Sequence, residues 1–359
     1  MTTNSMIILD THPGEIIKEH MEDLGWTQRD LAQRLGESPK TVNLLIHHKT
    51  RINRGYAEAF SRIFGYPVDF WLNLEKAWED NERLKCAEQE AKKHKVELTR
   101  FKYSELVKAK LIKDGIYFVE KVNAFLGFFR VASFNALDAL IMTNAARYKR
   151  RQTKTATDDT LAVWIMACER VSEQVSLSGD YSEKAFKEAL REIRQTMLTG
   201  KIDIEKLKGI CAKAGVAVIT IPPLKGLGVY GASFWHAKRP VIALAWNYSD
   251  DRFWFYFFHE ASHILSDPQK EVFAEVKTCN DNDIDASEKR ANDFAENILL
   301  PEFDEHSFPH TETGIKKYAA KNKVLPCIVV GRLKNRDLLH KAAFIDLVQT
   351  TSPTYDSLV

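Results

Sequence analysis

The segment FYFFHEASHIL, residues 255–265, sets two histidines, His259 and His263, four residues apart. On an α-helix that spacing is about one turn, so both imidazoles project from one face and can share one metal ion. Phe255, Phe257, Phe258, Ile264 and Leu265 flank the pair, so such a helix is buried on its apolar side while its polar side looks into a cleft. Neutral imidazole suits the borderline-soft Zn²⁺ ion. A glutamate beside the first ligand, here Glu260, is placed to take a proton from a metal-bound water whose pKa has fallen to about 7.

A His-Glu-x-x-His pattern has three fixed positions and recurs by chance, so its surroundings decide what it means. Here it lies on a helix over about Phe253 to Leu265, after short β-rich runs. A second helix follows, from about Glu288 to Leu300, stopped by Pro301. That helix carries Glu288, Asn292 and Glu296 at spacings of four, so a third ligand is available. In sequence Glu288, Asp293, Glu296, Cys279 and Asp285 are all within reach, and periodicity favours those on the helix.

With 359 residues, the chain is long enough for two or three compact modules. Apolar residues recur at helical spacing in short bursts from Pro13 to Ala77, punctuated by Gly25, Gly36, Gly55 and Gly65, which reads as a bundle of short helices. Trp78 to Thr99 is rich in Glu, Lys, Ala and Gln and reads as a solvated helical linker. Helical patterning continues to about residue 214, then gives way to VAVITI (216–221) and VIALAW (241–246), separated by Gly226, Gly228 and Gly231. The expected class is α+β: an all-α helix-turn-helix bundle over 1–78, a helical linker and middle region over 79–200, and a zincin-like domain over 201–359 with a small antiparallel sheet.

In the N-terminal part, a helix from Thr27 to Leu35 is followed by Gly36 and a second helix starting near Ser38-Pro39, an N-cap and first-turn signal. This is helix-turn-helix spacing. The second helix offers Ser38, Lys40, Thr41 and Asn43 to a DNA major groove while Val42, Leu45 and Ile46 face the core. Residues 1–78 hold nine Lys plus Arg and ten Asp plus Glu, so non-specific DNA affinity is expected to be weak. Ser38 to Arg54, however, contains Lys40, Lys49, Arg51, Arg54, His47 and His48 and no acid, which makes a local phosphate-binding face.

The motifs FFHEASHIL, EKRANDFAENILLP and PCIVVGRL, with the preceding glycine-rich turn, resemble the ImmA/IrrE family of metallo-endopeptidases from about Gly215 to Leu339. The resemblance implies that His259, His263 and Glu288 hold zinc, that Glu260 is the general base and that Asn292 supports the ligands from behind. Many relatives have Leu-Gly where this chain has Ala261-Ser262, both small residues. HPGEII, WTQRDLAQRLGES and FWLNLEKAWE resemble the XRE-type domain of HigA-like antitoxins over roughly residues 10–80. The layout, including LGFFRVAS, is similar to XRE proteins fused to ImmA/IrrE peptidases.

These resemblances imply a DNA-binding regulator, with double-stranded DNA as one partner and a repressor-type protein as the substrate of a zinc endopeptidase. The alternative is an antitoxin or repressor whose zinc fold serves as a sensor without proteolysis. Homodimers are expected of such modules.

A net charge of +2 gives no global pull toward nucleic acid or membrane. The five cysteines are odd in number and form no C-x-x-C pair, which fits reduced thiols in cytosol. No signal-like start is evident and no run approaches the 18 to 20 or so apolar residues that span a bilayer, so a cytoplasmic location with no membrane partner is expected. Trp164, Trp235, Trp246 and Trp254 are assigned to core or cleft walls, and Arg147-Tyr148-Lys149-Arg150-Arg151 to a solvated helix face. His236, His306, His310 and His340 lack partner spacing. Cys279, between the two site helices, is within reach of a metal but reads as a free structural cysteine.

Overall fold

The computed structural model describes residues 11–145, 148–150, 158–267, 271–276, 286–301, 303 and 311–359. The chain divides into two compact units, Met1–His94 with Tyr117–Val119, and Lys95–Ile116 with Glu120–Val359.

The smaller unit holds α1 (Pro13–Asp23), α2 (Gln28–Leu35), α3 (Pro39–Ile46), α4 (Arg54–Phe64) and the 25-residue α5 (Val68–Lys92). Its boundaries follow from capping chemistry. Thr27 and Asp30 form a reciprocal capping box at the start of α2, Gly36 ends that helix at φ +70°, and Ser38 caps α3 through the amide of Thr41 with Pro39 in the first turn. Val42, Leu45 and Ile46 turn into a core with Ile17, Leu31, Phe60 and Trp71. Gly14 of α1 lies so close to α3 that a Cβ there would stand 2.5 Å from the carbonyl oxygen of Ile46, so only glycine fits. Of the segment read as a linker, Trp78 to Thr99, the part as far as Lys92 is the continuation of α5, which starts inside this unit with buried Trp71 and Leu74.

The larger unit begins with α6 (Lys95–Arg100), α7 (Tyr103–Lys108), α8 (Phe118–Phe129) and α9 (Phe134–Ala145), then β1 (Tyr148–Arg150), α10 (Asp158–Ser172), α11 (Glu183–Thr196) and α12 (Ile204–Lys213). Next come β2 (Ala217–Thr220), β3 (Val229–His236), β4 (Arg239–Leu244), α13 (Asp250–Ser266), β5 (Val272–Val276), α14 (Ala286–Leu299), α15 (Glu312–Lys321) and α16 (Pro326–Asn335). One segment, Phe118–Asn144, is long and apolar enough by composition to cross a membrane, contrary to the reading that no run approaches that length. It forms the two 12-residue helices α8 and α9, broken after Arg130 at φ +54°. Each is about 18 Å long, against the 30 Å or so of hydrocarbon in a bilayer.

The sheet order is β1-β5-β3-β4-β2. The sheet is mixed rather than antiparallel: β3 runs antiparallel to β4 and β5, while β2 pairs parallel with β4 and β1 parallel with β5. The reason lies between the two apolar runs. The stretch that carries Gly226, Gly228 and Gly231 contains β3, which turns back into β4 through Ala237 and Lys238, both at positive φ as a primed two-residue hairpin requires. An intervening antiparallel strand leaves β2 and β4 pointing the same way. The basic run assigned to a helix face contributes β1 through Tyr148–Arg150, while Arg147 and Arg151 lie outside the described residues.

Helices α12 and α10 pack on β2, and α13 lies across β3 and β4 with α14 and α16 beside it. Trp246, Phe253, Phe257 and Phe258 are almost wholly buried there, and such side chains contribute about 1.5–3 kcal/mol each on leaving water. Trp164 and Trp254 are also buried, whereas Trp235 is half-buried. The result fixes one face of α13 against a rigid sheet.

Candidate metal centre and nucleic-acid interface

On the buried α13, His259 and His263 are 1% and 2% exposed and Glu260 is fully buried. Their side chains meet Glu288 from the first turn of α14. The Nε2 atoms of the two histidines are 3.2 Å apart, His259 Nε2 is 3.3 Å from Glu288 Oε2, and His263 Nε2 is 3.6 Å from Glu288 Oε1. Among the described residues this is the one group of three His, Cys, Asp or Glu side chains that offers converging ligand atoms, all within 4.8 Å. Zn–N bonds of 2.0–2.1 Å arranged tetrahedrally separate two ligand nitrogens by about 3.3 Å, so the donor set fits zinc in type and spacing.

The outer nitrogens are held as well. His259 Nδ1 is 3.0 Å from Asn292 Oδ1, and His263 Nδ1 is 2.7 Å from Asp267 Oδ2. A carbonyl or carboxylate oxygen accepts only, so each Nδ1 donates and each Nε2 keeps its lone pair for the centre. Burial lowers the pKa of His263, with the Asp267 hydrogen bond working against that, so the ring favours its neutral, ligating form. Burial opposes ionisation of Asp267, but the bond from His263 and the charge of Arg290 outweigh it and hold the carboxyl below its usual range. The ring of His263 also stacks on Phe273 of β5, with centroids 4.3 Å apart.

The Glu260 carboxylate packs against β3. Ser233 Oγ donates to Glu260 Oε2 at 2.7 Å. Two residues earlier on the same strand face, Gly231 leaves the space that the carboxylate needs: a Cβ there would be 3.0 Å from Oε1. Tyr248, buried near Glu260, has its phenol pKa pushed well up by burial and by that carboxylate, and it donates to the carbonyl of Tyr230 at 2.8 Å.

Of the sequence candidates, the structure brings His259, His263, Glu288 and Asn292 together. Glu296 is turned away, paired with Arg332 and, at 3.1 Å, with Arg336. Cys279 and Asp285 lie outside the described residues, as do His306 and His310. His236 is 3.3 Å from Glu173. Sequence reasoning missed Asp267, Arg290, Ser233 and Gly231. The signals were there in part: Asp267 is four residues past His263, and Gly231 and Ser233 share strand spacing.

In the smaller unit, Ser38, Lys40, Asn43, Lys49 and Arg51 are exposed and Thr41 is half-buried. Ser38 Oγ is committed to the Thr41 amide, and Asn43 Nδ2 donates to Gln28 Oε1 of α2 at 3.3 Å. Arg51 Nε lies 2.5 Å from Glu79 Oε1 and Arg54 pairs with Glu58, so part of the local positive charge is balanced within the unit.

Comparison with known proteins agrees with both halves. Residues 17–71 match the helix-turn-helix family and residues 211–334 the IrrE N-terminal-like domain of the M78 peptidases. The chain is 34% identical over 80 residues to the virulence-associated protein I of Dichelobacter nodosus, covering 22% of this chain and 70% of that one. It is 32% identical over 66 residues to the uncharacterized HTH-type transcriptional regulator YddM of Escherichia coli, covering 18% of this chain and 70% of that one. Among solved structures, a HigA-family addiction module antidote protein from Coxiella burnetii is 28% identical, with coverage of 23% and 92% and a TM-score of 0.22. The antitoxin GraA is 31% identical, with coverage of 25% and 90% and a TM-score of 0.20.

The two family matches, with the capped α2–α3 pair and the α13–α14 centre, define a helix-turn-helix regulator domain and an M78 peptidase-type domain on one chain. The chain belongs to the XRE-type helix-turn-helix regulators through its N-terminal part and to the IrrE/ImmA-like M78 peptidase family through its C-terminal part.

Proposed function

We propose that this chain is a cytoplasmic transcriptional regulator whose larger unit is a zinc-dependent endopeptidase acting on one specific protein, a repressor-type regulator. The observation that carries this reading is the convergence of His259 Nε2, His263 Nε2 and the Glu288 carboxylate, with Glu260 adjacent and held from β3. His259, His263 and Glu288 would hold the zinc, with Asn292 fixing the His259 ring.

Bound zinc supplies Lewis acidity that makes water a competent nucleophile at neutral pH. Glu260 accepts the proton of the attacking water on its carboxylate as the new C–O bond forms at the carbonyl carbon, then passes that proton to the amine nitrogen, after which the peptide C–N bond breaks and the amine departs. Ser233 and Gly231 keep that carboxylate in one place, and burial of the centre strengthens every charge interaction within it. Residues 1–78 would bring the chain to an operator, with Lys40, Asn43 and Lys49 on the DNA side, as a homodimer reading two half-sites.

The test is to incubate the purified full-length protein with candidate repressors, with and without chelator, beside Glu260→Gln. Chelator-sensitive cleavage by the wild type and none by Glu260→Gln supports the reading. Bound zinc without any cleavage favours a sensor or partner-binding role for the same fold.

A further inference from the structure

We propose that Asp267, backed by Arg290, is a positioning residue that sets the affinity of the centre, by fixing the His263 tautomer and tying the helix of Glu288 to the helix of the histidines. The inference rests on the zinc reading above.

Asp267 stands at the C-terminal cap of α13. An anion there opposes the helix dipole, at a cost of about 0.3–1 kcal/mol. The side chain is also only 5% exposed. Helix stability therefore does not account for an acid at this position. Its two oxygens do different things. Oδ2 accepts from His263 Nδ1 at 2.7 Å, which leaves the Nε2 lone pair aimed at His259 and Glu288. Oδ1 accepts from Arg290 Nη2, and Arg290 sits on α14, two residues beyond Glu288.

One carboxylate thus joins the last turn of α13 to the first turns of α14. Two ligands come from the first helix and one from the second, so the link holds the three donors in register across the helix boundary. On the other histidine the equivalent partner is a neutral amide, Asn292. At Nδ1 of His263 the partner is a charged carboxylate, which raises the ring's basicity as a ligand.

The experiment measures Zn²⁺ affinity of the full-length protein by competition with a chromophoric chelator, and the visible spectrum of the Co²⁺-loaded protein, for wild type, Asp267→Ala, Asp267→Asn, Arg290→Ala and the Ala–Ala double variant. Asp267→Ala is expected to weaken zinc binding by about 10 to 100-fold and to change the cobalt spectrum, as loss of a partner behind a metal-bound histidine does. Asp267→Asn, which still accepts the Nδ1 hydrogen bond, is expected to restore part of the affinity. Arg290→Ala is expected to weaken binding less, and to add nothing in the Asp267→Ala background, because its effect passes through that carboxylate.

Wild-type zinc affinity in Asp267→Ala overturns the proposal, as does an unchanged cobalt spectrum with only a lower unfolding midpoint of the apo-protein, the mark of a purely structural role. His263→Ala separates the two levels of the argument. If it loses zinc while Asp267→Ala does not, the positioning role alone fails. If the wild type binds no zinc, the reading beneath it fails too.

Discussion

The two units place their candidate residues on opposite sides of the solvent boundary. In the smaller one, Lys40, Asn43, Lys49 and Arg51 stand in water on a core of Val42, Leu45 and Ile46. In the larger one, His259, Glu260 and His263 are themselves core residues, packed on β3 and β4. Recognition of a charged surface needs side chains that are free to reach, and pays little to keep them hydrated. Chemistry at a peptide carbonyl needs groups held without reorganisation in a low-dielectric site, where each polar atom requires a partner. Substitutions should therefore act steeply in the larger unit and by small increments in the smaller.

The steepest effect is expected at Glu288. Glu288→Ala removes one of three converging donors, so zinc content by elemental analysis after dialysis should fall strongly, and with it any proteolysis. Equal zinc occupancy in variant and wild type would sink the assignment. Glu260→Gln is expected to keep zinc and fold while lowering cleavage by about 10² to 10⁴-fold, because the amide still accepts from Ser233 but cannot take a proton from water. Cleavage at the wild-type rate with zinc bound would remove Glu260 from the mechanism.

Glu296, one turn further along α14 than Asn292, sharpens the contrast within a single helix. It pairs with Arg332, with both side chains mostly buried, at 12% and 14% exposure. Glu296→Ala should leave zinc content unchanged yet destabilise the larger unit by about 3–5 kcal/mol, the cost of abandoning a buried cation. Chemical denaturation beside metal analysis reads both quantities. Loss of zinc at unchanged stability would place Glu296 at the centre after all.

What was legible beforehand follows the range of the forces involved. Helix caps and i,i+4 spacing are local, so α2, α3, α13 and α14 could be read from Thr27, Gly36, Ser38 and the His259–His263 interval. Sheet pairing is not local. The β3 strand was hidden because VYGASFWH is broken by glycine and serine, and those two residues are small and polar for the sake of Glu260 rather than the strand. The resemblance pointed to Glu288 where spacing left five candidates open. Asp267 escaped notice because an acid at a helix C-terminus looks unfavourable until Arg290, 23 residues later, is brought beside it.

Among its described residues the smaller unit buries two titrating groups, Glu75 and His12, and at His12 the comparison can be tested by pH. The ring is 1% exposed, stacks on His48 at 3.4 Å and accepts from the Gly14 amide through Nδ1. Burial, with the nearby His48, brings its pKa down to about 4 from an ordinary value of 6.5. A lowered histidine pKa means that the unfolded chain binds the proton first. The stability contributed by His12 is therefore complete above about pH 6.5 and is lost as pH falls toward 4, by about 3 kcal/mol in all. Thermal unfolding of wild type against His12→Asn, which keeps an acceptor for Gly14, should converge over that window. Parallel curves would show that His12 does not titrate as its burial implies.

The smallest effects are expected on the exposed face. Lys40→Ala and Asn43→Ala should each weaken operator binding by about 1–3 kcal/mol, if α3 meets the groove edge-on. Arg51 differs from both because its guanidinium is already engaged by Glu79 on α5. To contact a phosphate it must either leave that carboxylate or share it, and an exposed ion pair is itself worth only about 0–1 kcal/mol, so neither the loss nor the gain is large. Arg51→Ala should thus lower affinity less than Lys40→Ala, uniformly across operator sequences, and reduce the dependence of log affinity on log salt by less than the one unit or so that a full phosphate contact gives. Removing the competing acid with Glu79→Gln frees the guanidinium and should steepen that dependence. If Arg51→Ala instead abolishes binding while Lys40→Ala is silent, the DNA-facing surface is the loop after α3 rather than α3 itself, and the exposed face must be redrawn around Lys49 and Arg51.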